Sequence, residues 1–191
     1  HQVKVWEFLE ERVTVVKSRH CPWLDIDLPE LNISTDVQQQ LENAELIVLA
    51  VPSTHATITL QNTTPYINKD TPILIASKGF SNGKLVTQDI ETENPLAVLS
   101  GPSIAKELVR NITTAVNIAS QSGLRNQLCQ ELSTETLHCH PSDDIIGTQL
   151  GGSLKNIYAI WAGICDGLQL GQNTKSLIMT RSEEHTSELQ S

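Results

Sequence analysis

The sequence has no long apolar run, no paired-cysteine motif and few positive charges, and each lack removes a class of function. No stretch approaches the roughly 20 apolar residues that a membrane-spanning helix needs, so membrane insertion is not expected. The 13 Lys and Arg are outnumbered by 22 Asp and Glu, a formal charge of −9. Such a chain repels phosphate backbones, which argues against a nucleic-acid partner. A small anionic substrate stays admissible where local cations outweigh the distant field. The four cysteines, Cys21, Cys129, Cys139 and Cys165, lie far apart without C-x-x-C spacing, the usage of reduced thiols in a cytoplasmic protein. His138-Cys139-His140 suggests a metal, but neighbours on a strand point to opposite faces and cannot converge on one ion. No metal is expected.

The chain opens on His1, not Met, and enters a strand-like run at once, so residues are expected to precede it. At the other end, residues 181–191 (RSEEHTSELQS) lack apolar periodicity and match the translation of a common sequencing adapter. No part of the fold is expected there.

What remains is 39% hydrophobic over 191 residues, enough for one domain or slightly more. Val3–Trp6 reads as a strand, 7–18 as a helix, 22–29 as a loop, and Asp36 as the cap of a helix to about Asn43. Glu45–Val51 (ELIVLAV) and Pro72–Ser77 (PILIAS) are continuous apolar runs, the mark of strands buried on both faces of a parallel sheet. Thr54–Gln61 reads as a helix, Leu96–Ser100 as a strand, Ser103–Arg110 as a short helix and Thr114–Ala119 as a strand. A helix over 122–132 and a last strand over Thr136–His138 follow. Strands alternating with helices predict an α/β fold with a doubly wound parallel sheet. From Asp143 to Gly167 the spacing turns helical, with Asp143 or Asp144 as N-cap, and a second helix is expected over Asn173–Thr180. The expected domains are 1–141, the start of a helical domain over 142–180, and the tail 181–191.

Three segments carry chemistry. In the helix 143–167, the positions in phase with Lys155 are Thr148, Gly151, Gly152, Ala159, Ala162, Gly163 and Asp166, a face of small residues around one lysine. Glycine in a helix interior costs about 0.5–1 kcal/mol relative to alanine, so two adjacent glycines need a reason. Close helix packing is one; close approach of a ligand to Lys155 is the other. A lysine walled by small apolar groups is expected to have a lowered pKa and to exchange protons near neutrality. Ser100-Gly101-Pro102-Ser103 follows a buried strand and opens a helix, where exposed N–H groups can hold an anion. Gly101 can let a ligand approach the main chain, and Ser103 can cap the helix or donate to a bound oxygen; an ordinary strand–turn–helix connection is the plain alternative. Ser77-Lys78-Gly79 ends another buried strand, where ligands of open α/β sheets sit.

Ser100-Gly101-Pro102-Ser103-Ile104-Ala105-Lys106-Glu107 resembles the S-G-P-[ST]-x-A-x-E segment of bacterial-type NAD(P)-dependent glycerol-3-phosphate dehydrogenases. Gly151-Gly152-Ser153-Leu154-Lys155-Asn156, followed by Ala162-Gly163 and Asp166-Gly167, resembles that family's G-G-x-x-K-N helix. Val51-Pro52-Ser53 and Ser77-Lys78-Gly79 match in order and rough spacing, and the resemblance runs from His1 to about Thr180. It implies a Rossmann-like domain over 1–141, its first strand and glycine-rich loop missing, followed by the start of an all-helical 6-phosphogluconate-dehydrogenase-like domain. It further implies interconversion of sn-glycerol 3-phosphate and dihydroxyacetone phosphate with NAD or NADP, for phospholipid synthesis, in a homodimeric parent enzyme. By the same resemblance, Lys155 is the catalytic proton donor and acceptor, and Lys78 contacts substrate and cofactor. Gly101, Ser103 and Asn156 bind substrate, and Ala105 lies against the cofactor. Phe8 stands where NADPH-preferring members carry a basic residue or histidine, so no positive group awaits a 2′-phosphate there. The alternatives are another β-hydroxyacid or 6-phosphogluconate-like dehydrogenase, against which Ser100–Ser103 argues, and a non-catalytic fragment.

Overall fold

The computed structural model describes residues 2–22, 24–121, 123–174, 176 and 177. β1 (Lys4–Trp6) leads to α1 (Glu10–Lys17). The helix starts later than residue 7 because Glu7 is drawn into the ladder, its N–H donating to Ser34 O at 3.2 Å. The expected loop 22–29 contains a two-residue strand, β3 (Ile26–Asp27), which pairs with β2 (His20–Cys21) as a small antiparallel hairpin. β4 (Asn32–Ser34) was not evident from the sequence, being three residues long; it pairs parallel to β1 with Ile33 opposite Val5. α2 (Val37–Leu41) starts on the expected cap, the Asp36 carboxylate accepting from Gln39 N at 3.0 Å.

β5 (Ile47–Leu49) and β6 (Ile73–Ile75) flank α3 (Ser53–Thr63) and a 3-10 turn at Thr64–Tyr66. A hairpin of β7 (Phe80–Ser81) and β8 (Lys84–Leu85) then leads into α4 (Val86–Asp89). The Asp89 carboxylate accepts from Ser81 Oγ (2.7 Å), Asn82 Nδ2 (3.0 Å) and the Thr57 hydroxyl. These donors, Ser81 first and Thr57 next, hold its carboxyl below the usual range. β9 (Leu96–Ser100), α5 (Ala105–Leu108), β10 (Thr114–Ala119), α6 (Leu124–Leu132), β11 (Leu137–Ser142) and α7 (Ile145–Gly167) complete the order. β11 extends beyond the expected Thr136–His138 because it pairs with β10 as far as Ser142, opposite Ala119. It is an edge strand, which tolerates Pro141.

β11-β10-β9-β6-β5 form one sheet and β1-β4 a separate parallel pair. The expected parallel pairing holds except between β9 and β10, which run antiparallel. The helix between them has only four residues. The chain therefore turns back without the crossover that a parallel return requires.

Alternate residues of the sheet face opposite layers. Leu49, Ile73, Ile75 and Val98 pack with Ala56, Leu60 and Val86 on the α3–α4 side, while Leu74, Ala97 and Ile118 pack with Leu128 and Cys129 of α6. The expectation that 45–51 is buried on both faces is corrected at Val48. It lies opposite Leu74 yet is 53% exposed, on the strand that forms one edge of the sheet among the described residues. After α7, residues 171–174, 176 and 177 are helical. Residues 178–180 of the expected second helix and the tail 181–191 lie outside the described residues.

Candidate functional site

Three segments meet at the carboxyl end of the central strands. The first, Ser77-Lys78-Gly79, leaves β6, with Ser77 Oγ donating to Val51 O at 2.6 Å. Gly79 adopts φ +117°, and a Cβ there would stand 2.8 Å from Ser53 Oγ, so the turn after Lys78 accepts glycine alone. The second leaves β9. Gly101 adopts φ +150°, and its Cβ would stand 2.9 Å from both Ala115 O and Val116 Cα. The backbone of β10 thus demands this glycine, whatever ligand it also admits. Ser103 is not the cap of α5: Ile104 holds that position and no side chain caps the helix.

The third segment is α7, started by the Asp144 carboxylate, which accepts from Gly147 N at 2.7 Å. Its two glycines differ. A Cβ on Gly152 would fall on Ser100 Oγ and lie 4.0 Å from Lys78 Cγ, whereas one on Gly151 meets nothing within 4 Å. Gly152 therefore lets α7 close onto β9 and the stem of Lys78. The buried Gln149 and Leu150 mark the half of α7 that packs on the sheet. Farther along, Lys155 and Asn156 are exposed. The small residues in phase with Lys155 share its helix, but they leave the lysine exposed rather than walled in.

Lys78 is the hub. Its Nζ donates to Gly101 O (3.1 Å) and to Ser103 Oγ (3.0 Å). Burial pushes its pKa below the ordinary lysine value, and the positive charge of Lys155 pushes it further. Lys78, Gly101 and Ser103 are thus joined by hydrogen bonds, with Lys155 within Coulombic range. Ala105 opens α5 and is exposed; Phe8 follows β1 on the separate strand pair and is 77% exposed. Two cations beside one turn can hold an anionic group and stabilise charge developing on an oxygen.

The sequence reading missed Ser153, whose Oγ accepts from Gly79 N at 3.1 Å, and the Thr87 Oγ1–Gln149 Oε1 bond of 2.9 Å. Ser153 sits inside the G-G-x-x-K-N run, but its partner lies 74 residues away and only the fold reveals it. Among the described residues no group of three His, Cys, Asp or Glu could hold a metal ion, and no helix is long and apolar enough to cross a membrane. His138 and His140 are exposed along β11, with the half-buried Cys139 between them.

The family described as NAD-dependent glycerol-3-phosphate dehydrogenase N-terminus matches residues 1–125, and its C-terminus counterpart matches residues 144–190. A glycerol-3-phosphate dehydrogenase (NAD(P)+) of Myxococcus xanthus is 37% identical over 193 residues, covering 94% of this chain and 58% of that protein. A crystal structure of glycerol-3-phosphate dehydrogenase from Coxiella burnetii matches with TM-score 0.85 and 32% identity, over 98% of this chain and 61% of that one. The Plasmodium falciparum glycerol-3-phosphate dehydrogenase, at TM-score 0.82 and 21% identity over 97% of this chain and 56% of that one, shows the likeness of fold alone. The chain spans less than two thirds of the length of these relatives. The matched family covers both the sheet that presents Lys78 and the helix that presents Lys155, so the chain belongs to the NAD-dependent glycerol-3-phosphate dehydrogenase family.

Proposed function

We propose that this chain carries the substrate half of a dehydrogenase that interconverts sn-glycerol 3-phosphate and dihydroxyacetone phosphate, supplying glycerol 3-phosphate for phospholipid synthesis. The observation that carries the reading is the bonding of Lys78 to Gly101 and Ser103 within the electrostatic reach of Lys155. Such a pair of ammonium groups suits a small substrate bearing a phosphate. Ser103 and the Gly101 backbone line the same turn, and Asn156, next to Lys155 on α7, orients the substrate.

The residues also fit a dinucleotide in part. Phe8 follows β1 and Lys78 follows β6, at the carboxyl ends of parallel strands where open α/β sheets take such ligands, and Ala105 opens α5 in the exposed segment after β9. Bound there, NADH or NADPH would supply the hydride in one direction and NAD or NADP would accept it in the other. The protein's part is acid–base and electrostatic. As the carbonyl of dihydroxyacetone phosphate is reduced, negative charge gathers on its C2 oxygen; the Lys155 ammonium neutralises that charge and gives the oxygen its proton. In the reverse direction the same amine takes the hydroxyl proton. Lys78 lowers the cost of negative charge between carbonyl and phosphates.

The partner is thus a small phosphate ester. The parent enzyme is a homodimer and works in the cytoplasm, where the four free thiols of this chain stay reduced. The deciding experiment is Lys155→Ala in the parent enzyme of its relatives' length. Turnover of dihydroxyacetone phosphate with NADH is expected to vanish while NADH binding is nearly unchanged. Turnover like the wild type's removes Lys155 from the mechanism.

A further inference from the structure

Gly79 N–H is the first backbone donor after Lys78. β6 has already ended at Ile75, so no strand ladder takes it. Its partner is Ser153 Oγ at 3.1 Å. The serine hydroxyl has a single proton, and Gln149 O, one turn back at 2.8 Å, is a nearer acceptor than Gly79 O at 3.3 Å. That back-bond leaves an oxygen lone pair for Gly79 N–H. Serine is a poorer helix former than alanine, so helix propensity does not account for the residue. What it does is join the loop of Lys78 to the helix of Lys155. Gly152, its neighbour, lies against the Lys78 stem and one helical step of three residues from Lys155.

We propose that Ser153 is a positioning residue: by accepting the Gly79 N–H it clamps the loop that carries Lys78 against α7, and so sets where Lys78 and Lys155 stand relative to each other. The role rests on reading the two lysines as substrate-facing cations, but the clamp itself can be measured without turnover.

The test uses the 191-residue chain with Ser153→Ala, Ser153→Thr and Thr87→Val, each checked for helix content by circular dichroism. Two quantities are read: hydrogen exchange at the Gly79 amide, and the pH midpoint for acylation of Lys78 by trace acetic anhydride, followed by peptide mass spectrometry. Ser153→Ala is expected to speed Gly79 exchange roughly tenfold, the loss of one net hydrogen bond, and to raise the Lys78 midpoint. Ser153→Thr, which keeps the hydroxyl, is expected to restore both. Thr87→Val breaks a second polar tie of α7, to Gln149, and is expected to change neither. The proposal is overturned if Ser153→Ala leaves both readouts unchanged, or if Thr87→Val reproduces them, since α7 would then merely have loosened. Retained turnover in Lys155→Ala would end the dehydrogenase roles while leaving the clamp standing, so the two failures can be told apart.

Discussion

Lys78 Nζ donates to the backbone carbonyl of Gly101 at 3.1 Å, which ties the end of β6 to the turn after β9. The bond crosses 23 positions of sequence and uses one of the three donors of the ammonium. A second goes to Ser103 Oγ. The cation is thereby aimed before any substrate arrives, so less side-chain freedom is lost on binding.

Replacing Lys155 with Met tests the coupling of the two lysines. Removing a neighbouring like charge favours the protonated amine, so the Lys78 titration midpoint should rise. It should stop short of the ordinary lysine value, because burial, the larger cause, remains. Competitive acylation across pH 7–11 reads this; an unmoved midpoint would mean the ammonium groups do not sense each other.

Gly151→Ala and Gly152→Ala should have opposite signs. Alanine at 151 meets open space and improves helix propensity by about 0.5–1 kcal/mol. Alanine at 152 drives into Ser100, a buried residue, and is expected to destabilise by about 1–3 kcal/mol while prising α7 off β9. Urea denaturation of the two variants side by side gives both signs.

Gly101→Ala combines backbone strain with overpacking against the main chain of β10, each of order 1–3 kcal/mol. The variant should unfold at markedly lower denaturant than the wild type. A midpoint matching the wild type would show that the turn can adopt another conformation.

Asp89 makes stability depend on acid. Its folded-state pKa is depressed by the Ser81 and Thr57 hydroxyls, so the folded state binds fewer protons than the unfolded one. Its stabilisation is present above the pKa of an unfolded aspartate and is lost as pH falls through the lower folded value. Asp89→Asn should therefore flatten the fall of the denaturation midpoint below about pH 4, the usual aspartate range. A variant with the same acid slope as the wild type would exclude Asp89 as a source.

Much of the architecture is legible from local rules. The apolar run Ile73–Ile75 between turn residues is a buried strand by composition alone, and Asp36 and Asp144 announce their helices because a carboxylate can take the free N–H groups of a first turn. The candidate site was readable as three separate motifs around Lys78, Gly101 and Lys155. Short elements such as β4 and the hairpin of β2 and β3 were not, since two or three residues carry too little periodicity to distinguish a strand from a loop.

By itself, the sequence determined the longer strands and helices, the buried run of β6 and the residues able to bear charge, because these follow from side-chain polarity and spacing along the chain. Only the tertiary structure decided that β10 runs against β9, that Val48 is left exposed at a sheet edge, that Gly152 and not Gly151 faces Ser100 and the Lys78 stem, and that Ser153 meets Gly79. Each of these depends on which atoms, distant in sequence, come within a few ångströms of one another, and that proximity is set by the packing of the whole chain.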